Sequence, residues 1–151
     1  MTAPKRLVAI ASAGGHFNQL LLLRSSYAHL DVTYLTTLPG LAEQFGATPS
    51  ALVPDCNADT PLRALRAAVV IFWRLLRLRP QIVISTGALP GVFAILAGRI
   101  LGAHTIWVDS VANGEVLSSS GRLARKIAHL TLSQWPEVAA ASGVRYEGSV
   151  L

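Results

Sequence analysis

Three short stretches of this chain bring together side chains able to do chemistry. The first is Ser12-Ala13-Gly14-Gly15-His16, where an apolar run from Leu7 to Ala11 gives way to two glycines and an imidazole. A Gly-Gly turn lets backbone approach a ligand, and a helix starting behind it would offer free N–H groups and a positive dipole end to an anion. Imidazole as a class can act as an acid or a base, so His16 suits acid–base work or a phosphate contact; a capping or packing role would suit the same position. The second stretch is Ser85-Thr86-Gly87-Ala88-Leu89-Pro90-Gly91, with two hydroxyls for phosphate or sugar, or simply for the turn. The third runs from Asp109 and Ser110 through Asn113 to Glu115. A carboxylate closing a buried strand must be paired or solvated, so Asp109 could orient a sugar hydroxyl, act as a base, or cap the loop that follows.

The elements that must carry these stretches follow from periodicity. Apolar and β-branched runs predict strands near Leu7–Ala11, Asp31–Thr36, Ala51–Pro54, Gln81–Ser85, His104–Asp109 and Leu130–Ser133, with Val144–Leu151 a last strand or extended tail. Helical patterns lie between them: from His16, over Leu41–Phe45, over Leu62–Leu78 behind Pro61, over Val92–Leu101 up to Gly102, over Arg122–His129, and from Pro136 to Ala141. Asp55–Pro61 is polar and turn-rich, the best candidate for a mobile loop. Alternating strand and helix predict an open, mostly parallel Rossmann-like α/β sheet with helices on both faces, and one domain over residues 1–151. In such a sheet ligands bind beyond the carboxyl ends of the strands, and all three polar stretches meet that rule.

The helix over Leu62–Leu78 stands apart. At 100° per residue Arg63, Arg66, Arg74 and Arg77 fall within an arc of about 80°. The apolar sector is wider than one sheet face needs, and Trp73 suits an interface. One reading is a core helix with an arginine-solvated edge; the other is a basic amphipathic surface lying on anionic lipid.

Composition narrows the classes. The 151 residues are 52% hydrophobic and 14% charged, with a mean hydropathy of +0.47, which is apolar enough to suggest a covered face. A net charge of +5, nearly all of it arginine, favours anionic partners. Cys56 stands alone, so no internal disulfide can form. The apolar run after Lys5-Arg6 is too short for a signal-peptide core, and the uncharged span from Pro80 to Gly98 is interrupted by Ser85-Thr86-Gly87 and Pro90-Gly91. No transmembrane span, no metal site among the scattered histidines, and no cofactor are predicted. The glycine turn is neither G-x-G-x-x-G nor a P-loop, which weakens a free-standing nucleotide enzyme. The arginines lack interleaved stacking aromatics, which argues against nucleic acid.

Ala11-Ser-Ala-Gly-Gly-His-Phe-Asn-Gln-Leu20, Pro80-Gln-Ile-Val-Ile-Ser-Thr-Gly-Ala-Leu-Pro-Gly91, Asp109-Ser110, Ser120-Gly-Arg122 and Gln134-Trp-Pro-Glu137 together resemble the acceptor-side subunit of split GT-B glycosyltransferases. That group includes the membrane-anchoring subunit of the dolichol-oligosaccharide N-acetylglucosaminyltransferase and bacterial exopolysaccharide or capsule subunits described as glucuronosyl- or galactosyltransferase components. The Gly-Gly-His turn also resembles the peptidoglycan lipid-intermediate N-acetylglucosaminyltransferase. The resemblance implies the N-terminal half of a GT-B enzyme. A separate nucleotide-sugar-binding subunit would complete the cleft, and the acceptor would be a lipid-linked diphosphate saccharide at the cytoplasmic face of the cell membrane. It implies substrate contacts from Gly14, Gly15, His16, Asn18, Ser85, Thr86, Gly87, Pro90, Gly91, Ser110, Asn113 and Glu115, and chemistry from His16 or Asp109. It also implies a complete half ending at Val150-Leu151, with the tail touching the partner. Family members often have Glu-Ser where this chain has Asp109-Ser110. Eukaryotic members begin with a membrane helix that is not seen here, so attachment would fall to Arg63, Arg66, Trp73, Arg74 and Arg77. The competing class is a non-catalytic membrane adaptor that recruits or stabilises a transferase.

Overall fold

The computed structural model describes residues 2–150. Seven strands form one sheet in the order β3-β2-β1-β4-β5-β6-β7, and every pairing among the described residues is parallel. The strands are β1 (Arg6–Ile10), β2 (Asp31–Thr36), β3 (Ser50–Leu52), β4 (Ile82–Ser85), β5 (His104–Val108), β6 (Leu130–Ser133) and β7 (Arg145–Tyr146). The helices are α1 (Gly15–Leu22), α2 (Arg24–Tyr27), α3 (Leu41–Gln44), α4 (Pro61–Leu78), α5 (Ala88–Ile100), α6 (Ser119–Ala124) and α7 (Pro136–Ser142).

Alternation along the strands divides the core into two layers. Val8, Ile10, Leu35, Val83 and Trp107 face α4, α5 and α6, where Ala67, Ile71, Leu75, Val92, Ile95 and Ala124 meet them. Leu7, Ala9, Tyr34, Ile84 and Val108 face the other way, onto Phe17, Leu20, Tyr27 and Ala42. A strand covered on both faces is apolar on both, which is why Leu7–Ile10 of β1 and Ile82–Ile84 of β4 read as unbroken hydrophobic runs. No helix among the described residues is long and apolar enough to cross a membrane. The uncharged span from Pro80 to Gly98 is strand, turn and helix instead.

Two helix boundaries differ from the sequence pattern. α5 begins at Ala88, not Val92, and so absorbs Pro90 and Gly91. Proline costs nothing there, because the first turn of a helix has no acceptor for its missing N–H. The segment over Arg122–His129 is helical only to Ala124 and then unwinds through turns; the helix starts earlier, where Ser118 caps it by accepting the Gly121 N–H through its hydroxyl. Val144–Leu151 yields a two-residue edge strand, β7, and an extended segment after it; Leu151 lies outside the described residues.

Candidate functional site

Strand order changes direction between β1 and β4: the chain runs outward through β2 and β3, then returns to build β4 through β7 on the other side. The crevice beyond the carboxyl ends of two such strands is where open α/β sheets bind ligands. Both glycine turns of the sequence open onto it.

The β1–α1 turn is held by a hydrogen bond from the Ala13 N–H to the Thr37 hydroxyl, 3.0 Å. Gly14 then adopts φ 86°, ψ −141°, a conformation that a side chain would oppose. No described side chain caps α1, so its first N–H groups are left for water or an anion. Gly14, Gly15 and Asn18 are exposed and His16 is half-buried.

Across the switch point, β4 turns sharply into α5. Thr86 donates its hydroxyl to the His16 carbonyl at 2.5 Å, which clamps the two turns together. The imidazole lies against Gly87 so closely that a Cβ there would stand 2.0 Å from His16 Nδ1. Ala88 follows with φ 66°, a left-handed conformation unfavourable for a residue with a Cβ. His16 Nδ1 is itself buried and has no hydrogen-bond partner among the described residues. A buried nitrogen without a partner is unusual in a folded chain, and this one lies at the switch point of the sheet.

Several other expected contacts are buried in the structure. Ser85 is fully buried; its hydroxyl accepts the Gly87 N–H at 3.4 Å and lies under Gly91, where a Cβ would approach it to 2.1 Å. Pro90 and Gly91 are buried inside α5 and not on an open loop. Ser110 is buried too, accepting from Gln19 Nε2 at 2.9 Å.

Asp109 is turned inward. It is 2% exposed, and Oδ1 accepts from Trp107 Nε1 at 3.0 Å and the Ser118 hydroxyl at 2.6 Å, while Oδ2 accepts the Ser118 N–H at 2.9 Å. Gly121 lets α6 settle onto it, since a Cβ there would lie 2.4 Å from Oδ1. This carboxylate anchors the loop after β5 through those three bonds. Asn113 closes a turn at Ser110, its N–H donating to the Ser110 carbonyl. Glu115 is exposed and lines a separate groove of about 710 Å³ with Arg122, Arg125 and Lys126.

The periodic pattern did not single out two glutamines that organise the floor of the site. Gln19 Oε1 accepts the Val111 N–H at 3.0 Å and Gln134 Nε2 at 2.7 Å. Gln134 Nε2 also reaches the Asp109 carbonyl at 2.9 Å, and Gln134 Oε1 accepts the Val150 N–H at 3.0 Å. Trp135 Nε1 donates to the Val111 carbonyl at 2.7 Å. One polar network thus joins α1, the loops after β5 and β6, and the chain's final residues. Gln19, next to Leu20 on the buried face of α1, was the available signal: an amide there must be paired.

No protein-family model matches this sequence, and comparison with curated proteins gives no match. Solved structures do match in fold. MurG from Acinetobacter baumannii aligns with a TM-score of 0.75 at 18% identity, over 89% of this chain and 43% of its own. The UDP-N-acetylglucosamine 2-epimerase from Rickettsia bellii aligns with a TM-score of 0.75 at 12% identity, over 97% of this chain and 45% of its own. The glycosyltransferase SsfS6 from Streptomyces sp. SF2575, solved with thymidine diphosphate, gives 0.65 at 14% identity, over 94% and 52%. The chain therefore has the Rossmann-like fold of one half of a GT-B protein, and it spans less than half the length of MurG and the epimerase.

Proposed function

We propose that this chain is the acceptor-side, N-terminal half of a split GT-B glycosyltransferase. With a separate subunit that binds the nucleotide sugar, it moves a sugar from a UDP-sugar onto a polyprenyl-diphosphate-linked saccharide in polysaccharide biosynthesis, at the cytoplasmic face of the cell membrane. The observation that carries this reading is the match of nearly the whole chain to a single half of two-domain proteins, with the uncapped Gly14–Gly15 helix start and His16 at the open switch point. A GT-B cleft forms between two such halves, so this half supplies one wall and a partner the other.

Within that reading the exposed start of α1 receives acceptor oxygen or diphosphate. His16 is the group of this chain positioned to take the proton from the attacking hydroxyl, while Asp109 keeps its loop in place. Membrane attachment falls to α4. Its exposed face carries Leu62, Leu65, Val69 and Trp73, 84%, 63%, 50% and 55% exposed, beside Arg63, Arg66, Arg74 and Arg77. An apolar stripe edged with arginine suits insertion at an anionic headgroup layer.

The test is sugar transfer from a panel of UDP-sugars to a lipid-diphosphate acceptor in the presence of membranes, by this chain, by its partner, and by both. Transfer by the pair alone is the expected result, with His16→Ala lowering it about 10²-fold or more. Full activity from the partner alone would reduce this chain to an adaptor.

A further inference from the structure

The groove of about 710 Å³ that Glu115 lines follows the outer side of α6. One end is the loop after β5; the other is formed by the turns before β6 and the last turn of α7. Its walls are held from inside the protein. Asp109 accepts the Ser118 N–H and hydroxyl, Trp135 Nε1 donates to the Val111 carbonyl, and Gln19 Oε1 accepts the Val111 N–H. Arg122 Nη1 donates to the Leu117 carbonyl at 2.9 Å, which ties α6 to the loop. Arg125 Nη1 donates to the Ser142 carbonyl at 2.6 Å, which caps the end of α7.

Between these walls Val116 is 64% exposed and Leu123 50%. Two apolar side chains on a pinned surface lose water only against another molecule. The charges beside them differ from end to end. Glu115 stands at the β5 end and Lys126 at the β6 end, and neither forms an ion pair; the salt bridge among the described residues joins Arg145 and Glu147. Along its length the groove thus presents an anion, an apolar centre and a cation. Such an order is complementary to itself when turned end for end, and a two-fold axis makes that turn.

We infer that this groove is an isologous interface between two copies of the chain. Glu115 of each copy pairs with Lys126 of the other, and Val116 and Leu123 meet across the axis. An acidic partner would match Lys126 but set its charge against Glu115; a second copy answers both ends. The like charges of Arg122 and Arg125, already bonded to carbonyls of their own chain, limit the affinity. No residue of α4, of the β1–α1 turn or of the β4–α5 turn lines the groove. The dimer would stand whether or not the chain transfers sugar.

The test is sedimentation equilibrium of the full chain at concentrations up to about 1 mM, where a small interface associates. Wild type should show a concentration-dependent equilibrium of monomer and dimer. Glu115→Lys and Lys126→Glu should each weaken the dimer about tenfold, because like charges then face each other at both ends. An equimolar mixture of those two variants should recover at least wild-type affinity, since every end again meets its opposite. Leu123→Gln should weaken the dimer about as much, and neither charge variant should rescue it. All three positions are exposed, so melting temperatures should move by no more than about 2 °C. A monomer at every concentration would overturn the interface, and so would a dimer that both charge reversals leave intact. A mixture that stays monomeric would overturn the Glu115–Lys126 pairing. A monomeric wild type that binds the nucleotide-sugar subunit, and loses it on Lys126→Glu, would assign the groove to that subunit and refute the dimer.

Discussion

His16 depends on the absence of a side chain opposite it. Gly87 leaves room for the imidazole, and any Cβ there must push the ring away from the turn. Gly87→Ala is therefore expected to lower transfer by the reconstituted pair about as far as His16→Ala does, roughly 10²-fold, and to lower the melting temperature as well, because Gly87 holds φ 157°; a variant with normal turnover would refute the placement of the ring. Asp109 predicts the opposite pattern. Its two oxygens accept three hydrogen bonds, and the Trp107 Nε1–H on one oxygen and the Ser118 N–H on the other can only donate, so an amide turned either way meets one of them. Asp109→Asn puts an amide N–H against those donors, and should cost on the order of 1.5–3 kcal/mol in urea unfolding. The pH profile of the remaining transfer should keep its shape, whereas loss of a limb of that profile would restore Asp109 as the base.

At the level of elements, α4 and the far end of β5 behave differently because their charges meet different surroundings. The fully buried stripe of α4 is Ala67, Ile71 and Leu75, with Phe72 and Leu78 packed beside it, and Leu62, Leu65, Val69 and Trp73 are left in solvent. The double variant Arg63→Gln/Arg66→Gln should bind anionic vesicles roughly 25-fold more weakly, at about 1 kcal/mol per arginine near the surface. Trp73 fluorescence would report this, and equal binding to zwitterionic vesicles would count against the electrostatic part. At the amino end of β5, His104 and His129 stack with ring centroids 4.8 Å apart, and the Thr105 N–H donates to His129 Nδ1 at 3.1 Å. That bond requires a neutral ring. Desolvation, then the charges of Arg99 and His104, hold the His129 imidazole below its ordinary value of 6.5. As pH falls through that value the unfolded chain takes the proton first, so stability is full above it and declines below it. Thermal unfolding from pH 7.5 to pH 5 should show that decline, about as far as His129→Gln flattens it; identical curves would remove His129 as the cause.

For the whole molecule, the Gln19–Gln134 network ties the first helix to the last residues of the chain. Gln19→Leu keeps the volume but strands the Val111 N–H and one of the two Gln134 amide N–H groups, the other still bonding the Asp109 carbonyl. Its expected cost is on the order of 1–3 kcal/mol by urea unfolding, for one half-buried N–H and one buried amide N–H without partners. A loss under 1 kcal/mol would mean that water replaces the amide. The sequence by itself determined the strand–helix alternation, the unbroken apolar strands of a doubly covered sheet and the glycine turn at its edge. All three follow from local periodicity and backbone freedom, which a linear chain displays. The arcs of α4 were equally legible, since helix geometry fixes which residues share a side. Tertiary structure alone decided what each polar group does. Ser85, Asp109 and Ser110 look like ligand groups in the chain, yet packing buries them against Gly91, Gly121 and Gln19. Thr36 looks like an ordinary strand residue, yet the meeting of β2, β3 and α4 leaves its hydroxyl buried and unmatched. Thr86 with His16 and Gln134 with Gln19 meet partners 70 and 115 positions away, because the sheet brings distant loops to one edge, and no local pattern records that distance.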